Sequence, residues 1–204
     1  MPEIGLFPLE LVLLPTERVP LHIFEPRYKE LVGECVADER EFGLLLEDES
    51  GRRDVGTLAV VLEVLQVFDD GRMNVVVEGR ERFRLVEETE GRSFVTAEVE
   101  PVEDDADEAA DDEEVERALD LFRRLAEVTE ADVDEPDLAA PALSFELAGR
   151  VDFGTELKQE LLELRSEPAR LRRLIEALDR AVQAMLLERE VRERAAGNGR
   201  VSPR

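Results

Sequence analysis

The chain has 204 residues, 51 of them acidic and 26 basic, which gives a formal net charge of -25. A chain of this length buries roughly 70% of its unfolded surface without needing a disulfide, and its single cysteine, Cys35, can form none internally. So negative a field repels phosphate backbones and anionic lipid heads, so neither nucleic acid nor a membrane surface is an expected partner.

The N-terminus, MPEIGLFPLELVLLP, has an acidic residue where a leader peptide carries basic ones, and prolines interrupt it. No apolar run reaches the ~20 residues that span a bilayer. The expectation is a cytoplasmic protein.

Residues 1–103 read as a β-rich part. Short apolar runs recur at 4–7, 11–14, 21–24, 42–46, 58–68, 73–77, 83–86 and 94–99. Turn signals separate several of them: Ser50-Gly51, Asp69-Asp70-Gly71 and Glu90-Gly91. Asp70-Gly71 between two strand-like runs predicts a hairpin, because glycine accepts the positive φ that such a turn needs. Met73, Val75 and Val77 alternate with Arg72, Asn74 and Val76, so one face of that strand is mostly apolar. Many short strands joined by turns point to a barrel or sandwich.

One helix interrupts the strands. After Glu25-Pro26, the apolar residues Tyr28, Leu31, Val32, Cys35 and Val36 fall at i, i+3, i+4, i+7 and i+8, a single helix face. Pro26 fits the first turn, where its missing N–H costs nothing. The polar face carries Arg27, Glu30 and Glu34.

Residues 101–114 hold nine acidic side chains and no basic one. Such a run repels itself and stays solvated, so residues 104–114 are expected to form an acidic linker. The run has no glycine at its centre, which rules out a calcium-binding EF-hand loop. From residue 115 the apolar period becomes helical, and 115–190 reads as a helical bundle. Its first helix carries Val115, Leu119, Phe122, Leu125 and Ala126. After a second acidic loop at 130–137, helices are expected over 138–151, 155–164 and 167–189. Ser166 would cap the last, with Pro168 in its first turn. Its buried set would be Leu171, Leu174, Ile175, Leu178, Val182, Met185 and Leu186. Residues 191–204 are expected to be a flexible tail.

Much chemistry is missing. Lys29 and Lys158 are the only lysines, and neither stands in a Gly-Lys-Ser/Thr phosphate loop. One cysteine and one histidine cannot make a structural zinc site, so no metal and no cofactor is expected. A Ser-His-Asp triad would have to use His22, and no serine sits in a Gly-x-Ser-x-Gly elbow. His22 alternates with apolar neighbours on a short strand and reads as a surface or satisfied histidine. Cys35 lies on an apolar helix face and reads as inert core. A catalytic carboxylate pair cannot be picked out among 51 acids.

The segment FPLELVLLPTERVPLHIFEPRYKELV, residues 7–32, resembles the opening of the Lon protease N-terminal domain, in which a proline-bracketed strand pair leads through P-L-x-I-F-E-P-R-Y into the first helix. FGLLL at 42–46, VGTLAVVLEV at 55–64, DDGRMNVVVEGRERFRL at 69–85, KQELLE at 158–163 and ARLRRL at 169–174 extend the likeness in the same order. The resemblance implies an α+β fold, a PUA-like β pseudo-barrel followed by a C-terminal α-helical bundle. In full-length Lon this part precedes ATPase and Ser-Lys protease modules. Neither is found in this sequence, so the chain is similar to free-standing Lon N-domain proteins. The implied function is a non-catalytic polypeptide-binding module, an adaptor or chaperone-like factor in proteolysis, whose partners are unfolded or apolar polypeptide segments. The alternatives are a hydrolase with an unrecognised carboxylate site and a PUA-like RNA-binding protein. Binding of apolar segments requires an exposed apolar patch. Its expected walls are the Leu14-Pro15 turn and the region of Phe24, with Arg27 and Glu30 as exposed polar contacts and Tyr28 packing the helix down.

Overall fold

The computed structural model describes residues 3–89, 92–106, 109–140 and 142–198. Seven strands come first: β1 (Glu3–Leu9), β2 (Arg18–Ile23), β3 (Phe42–Asp48), β4 (Gly51–Arg52), β5 (Val55–Val67), β6 (Met73–Thr89) and β7 (Thr96–Pro101). Helix α1 (Pro26–Asp38) lies between β2 and β3. Four helices follow: α2 (Asp112–Thr129), α3 (Leu143–Ala148), α4 (Gly154–Glu163) and α5 (Glu167–Asn198). The expected turn at Glu90-Gly91 and the last six residues of the expected tail lie outside the described residues; Val191 to Asn198 continue α5.

Backbone pairing runs β1–β7–β6–β5–β3, and β3 also pairs with β1, so the circuit of strands returns on itself. The β1–β3 contact is parallel; the others in the circuit are antiparallel. β2 lies outside the circuit, on β6. The hairpin between β5 and β6 forms where Asp70-Gly71 predicts it. Gly71 has φ +78°, and the Phe68 N–H donates to the Arg72 carbonyl at 2.8 Å. Gly79 fills a second special position. A Cβ there would come within 2.1 Å of the Leu14 carbonyl oxygen, so only glycine lets the 14–17 turn close on β6.

Three apolar clusters hold the molecule. Leu6, Leu45, Phe83, Ala97 and Val99 form one among the strands. Tyr28, Leu31, Val32 and Cys35 dock α1 onto Phe7, Phe42, Val75 and Val77 in a second, with the Tyr28 and Phe7 rings 4.1 Å apart. Val36, expected on the same helix face, is exposed at its edge. The third cluster joins the two halves of the chain. Val12, Leu14, Leu46 and Val55 from the β part pack with Phe122, Phe145, Leu161, Leu174 and Leu178. Ser166 accepts from the Ala169 N–H at 3.3 Å, the expected cap of α5. Leu171, Leu174, Ile175, Leu178 and Val182 are buried, while Met185 and Leu186 are partly so. The helix expected over 138–151 contracts at both ends to α3; on the N-terminal side Pro141 disfavours helix at Ala140, the residue before it, and Leu138 is left exposed.

The expected acidic linker departs from its reading at both ends. Asp111 caps α2, accepting from the Glu113 N–H at 2.9 Å. Asp112, Glu113 and Glu114 occupy the first turn, where the helix dipole favours negative charge. Asp104 receives two buried arginines. Arg170 donates to it at 2.7 Å and to the Leu164 carbonyl at 2.8 Å. Arg82, from β6, pairs with the same carboxylate and donates to the Leu162 and Leu164 carbonyls at 2.9 and 2.7 Å. Both guanidinium groups lie over the Phe145 ring. Burial alone would raise the Asp104 pKa, but the Arg170 and Arg82 hydrogen bonds and charges outweigh it and hold the carboxyl below its usual range.

Candidate functional site

The far part of the β5–β6 hairpin, flanked by β2, forms a three-stranded tongue. Its register aligns three apolar rows on one face: Val61–Val77–Val19, Val64–Val75–Leu21 and Val67–Met73–Ile23. The opposite face carries Val60–Glu78–Arg18, Glu63–Val76–Pro20 and Gln66–Asn74–His22. β5 spends three residues on each row where its partners spend two, because register shifts skip Leu62 and Leu65. Glu63 and Gln66 therefore both reach the polar face although they are three residues apart.

Burial along the rows is unequal. Val75, Val77 and Ile23 are covered and Val61 partly so, but β5 beyond Val61 is not: Leu62 is 41% exposed, Val64 39%, Leu65 52% and Val67 65%. Phe24, at the end of β2, is 59% exposed. These five are half of the ten large hydrophobic side chains that are exposed among the described residues, so the uncovered apolar surface is concentrated on the tongue. At its tip the His22 ring stacks on Phe24 at 6.0 Å and meets Phe68 edge-on at 6.1 Å. The Lys29 ammonium of α1 donates to the Asp70 carbonyl at 2.9 Å and ties the helix to the hairpin turn.

The expected site residues separate on this frame. Leu14 is fully buried in the cluster that joins strands and helices, so it forms no wall of an exposed patch. The helical half covers it, a packing partner that local sequence does not reveal. Pro15 is half-buried beside Thr16, whose hydroxyl donates to Glu146 at 3.0 Å. The Leu14-Pro15 turn and Phe24 thus sit at opposite ends of β2, about 20 Å apart along a six-residue strand. Arg27 is exposed, paired with Glu25 at 3.0 Å and lying over the Tyr28 ring. Glu30 accepts from the Ser93 hydroxyl at 2.6 Å. Leu62, Val64, Leu65 and Val67 did not stand out within the run at 58–68. Their signal is the spacing in VLEVLQV, where a polar residue recurs every third position instead of every second.

Other places offer less chemistry. His22 hydrogen-bonds Asn74 at 2.6 Å. The hydroxyls of Ser50, Ser93, Ser144 and Ser166 engage Asp48, Glu30, Glu167 and the α5 backbone instead. Ser202 lies outside the described residues. A cleft of about 690 Å³ beside α1 is lined by Cys35, Glu34, Glu41, Arg40, Arg80 and Arg92, among others. Burial pushes the Cys35 thiol up to about 11, so it carries no thiolate at neutral pH. Arg92 and Arg40 are both paired with Glu34. Burial, and then the nearby Glu81, raise the Glu41 pKa. Among the described residues no group of three or more His, Cys, Asp or Glu side chains could hold a metal ion, and no helix is long and apolar enough to cross a membrane.

Comparison with known proteins agrees with this architecture. The family model described as the ATP-dependent protease La (LON) substrate-binding domain matches residues 3–180. The chain is 29% identical over 201 residues to a Lon protease of Anaeromyxobacter dehalogenans, a match covering 88% of this chain and 23% of that protein. It is 27% identical over 200 residues to Lon protease 2 of Myxococcus xanthus, covering 88% and 24%. It thus spans about a quarter of the length of the curated relatives it matches. Among solved structures, a Lon N-terminal domain protein from Xanthomonas campestris superposes with a TM-score of 0.68 at 28% identity, covering 86% of this chain and 98% of that one. The N-terminal domain of a Mycobacterium avium complex Lon protease shares the fold, with a TM-score of 0.63 at 19% identity over 87% and 98%. A mixed fold of antiparallel sheet and helices, matched over nearly its whole length by that model, places this chain in the Lon substrate-binding domain family.

Proposed function

We propose that the tongue binds apolar segments of unfolded polypeptides, and that the chain is a non-catalytic binding module, an adaptor or chaperone-like factor in proteolysis. The observation that carries this is the set of five exposed large hydrophobic residues, Phe24, Leu62, Val64, Leu65 and Val67, concentrated on one three-stranded projection. Water-exposed apolar side chains gain ~25 cal/mol for each Å² that a partner covers, and such surface on a folded protein marks an interaction site. The family description names a substrate-binding domain, and the relatives are proteases, whose substrates are polypeptides. Arg27 and Glu30 on α1 serve as polar contacts flanking this surface, and Pro15 contributes at the far end of β2. The closed circuit of strand pairings supports reading the β part as the PUA-like pseudo-barrel that the sequence implies.

The test is fluorescence anisotropy with a labelled, reduced and alkylated protein that cannot refold. The parent chain binds it. A Leu62→Ser, Leu65→Ser, Val67→Ser variant binds at least about tenfold more weakly, a loss of ~1.4 kcal/mol or more. Equal affinity for parent and variant removes the tongue from the function.

A further inference from the structure

We propose that the free edge of β5, residues 60–67, accepts an extended apolar segment flanked by basic residues as an added strand; this rests on the reading that the tongue is the polypeptide-binding surface. β3 pairs with β5 only as far as Ala59. Beyond it, among the described residues, no backbone hydrogen bond joins the outer side of residues 60–67 to another element. A strand with one neighbour uses only half of its N–H and C=O groups, and the outward half is a template for another chain. Along this edge Leu62, Val64, Leu65 and Val67 are exposed, so the incoming strand finds apolar neighbours for its side chains. Backbone pairing supplies affinity in such an arrangement, and side-chain contacts supply selectivity.

Charge selects the segment. With a net charge of -25, the chain attracts lysine and arginine flanks and repels acidic ones. The same charge disfavours a second copy of this chain as the occupant. So do the register shifts at Leu62 and Leu65, because two bulged edges cannot zip into a continuous ladder. A single flexible peptide can change its register at each bulge, which a second bulged edge cannot, and the interrupted ladder keeps capture reversible.

The probe is a labelled peptide of ten alternating valine and phenylalanine residues with two lysines at each end. Its affinity is measured by anisotropy, and hydrogen exchange is followed in the intact chain. Binding slows exchange of amides within residues 60–67. N-methylating one alternate set of peptide amides lowers affinity at least about tenfold, the loss expected for two or more hydrogen bonds, while methylating the other set does much less. Glutamate flanks also weaken binding at least about tenfold at low salt, and the difference shrinks in high salt. If both methylated peptides bind like the parent peptide, strand addition is overturned while apolar capture stands. If the lysine-flanked and glutamate-flanked peptides bind alike, the charge selection is overturned. Failure of every peptide, together with failure of the unfolded reporter, overturns both readings. If sedimentation shows a dimer with residues 60–67 protected in the absence of peptide, a second copy holds the edge and the proposal is wrong.

Discussion

The junction between the strands and helices and the tongue invert the usual placement of side chains. At the junction, Arg170 is 0% exposed and Arg82 is nearly so, both converging on Asp104. On the tongue, valine, leucine and phenylalanine face water. Buried charge is tolerated only when every donor finds an acceptor, and that requirement fixes one geometry. Uncovered apolar surface fixes nothing in the folded chain and is useful only when another molecule covers it. The contrast separates residues that hold this protein together from residues available for contact.

The largest effects should come from the junction. Arg170→Ala leaves Asp104 and the Leu164 carbonyl to Arg82 alone and takes the cation from Glu167, and breaking a buried charge network of this kind costs about 3–5 kcal/mol. Chemical denaturation should show the midpoint falling accordingly. A loss under ~1 kcal/mol would mean that the network adds little. Tyr28→Ala, which removes a ring packed on Phe7, should cost a little less, about 3 kcal/mol.

The acid limb of the stability curve gives a smaller effect whose sign is fixed. The Asp104 pKa is depressed in the folded state. Its contribution is therefore complete above the unfolded value of ~3.9 and is lost as pH falls through the lower folded value. Glu146 behaves in the same way. Burial acts to raise its pKa, but the Asp137 N–H, Arg150 and Thr16 more than offset this. Asp104→Asn should be less stable than the parent at neutral pH, and the gap should narrow as the solution is acidified below about pH 4. A gap that stays constant to pH 2 would show that Asp104 acts without its charge.

The smallest stability effects belong to the exposed residues. Leu65→Ser, Val67→Ser, Arg27→Ala and Glu30→Ala should each change stability by no more than about 0.5 kcal/mol. Differential scanning calorimetry would reveal hidden packing as a larger drop.

What was legible in the sequence follows from the range of each interaction. The α1 face from Tyr28 to Cys35, the Asp70-Gly71 turn and the Ser166 cap are set within a few residues, and all three formed as read. The Asp104 contacts reach Arg82 and Arg170, 22 and 66 residues away, so the acidic run looked solvated when read locally. Leu14 failed as a surface residue for the same reason, since its cover comes from the helical half. The β5 surface lay between these cases. Its triplet spacing in VLEVLQV was present, but a strand was expected to alternate in twos, and only the bulges explain why it does not.

The most direct test places a photo-crosslinking amino acid at position 65 on the tongue, and separately at position 187, where Leu187 is an apolar residue on α5 at least as exposed as Leu65. Each protein is irradiated with the labelled unfolded reporter. Strong crosslinking is expected at position 65 and little at 187. Equal crosslinking at both positions, or a preference for 187, would contradict the claim that the tongue is the binding surface.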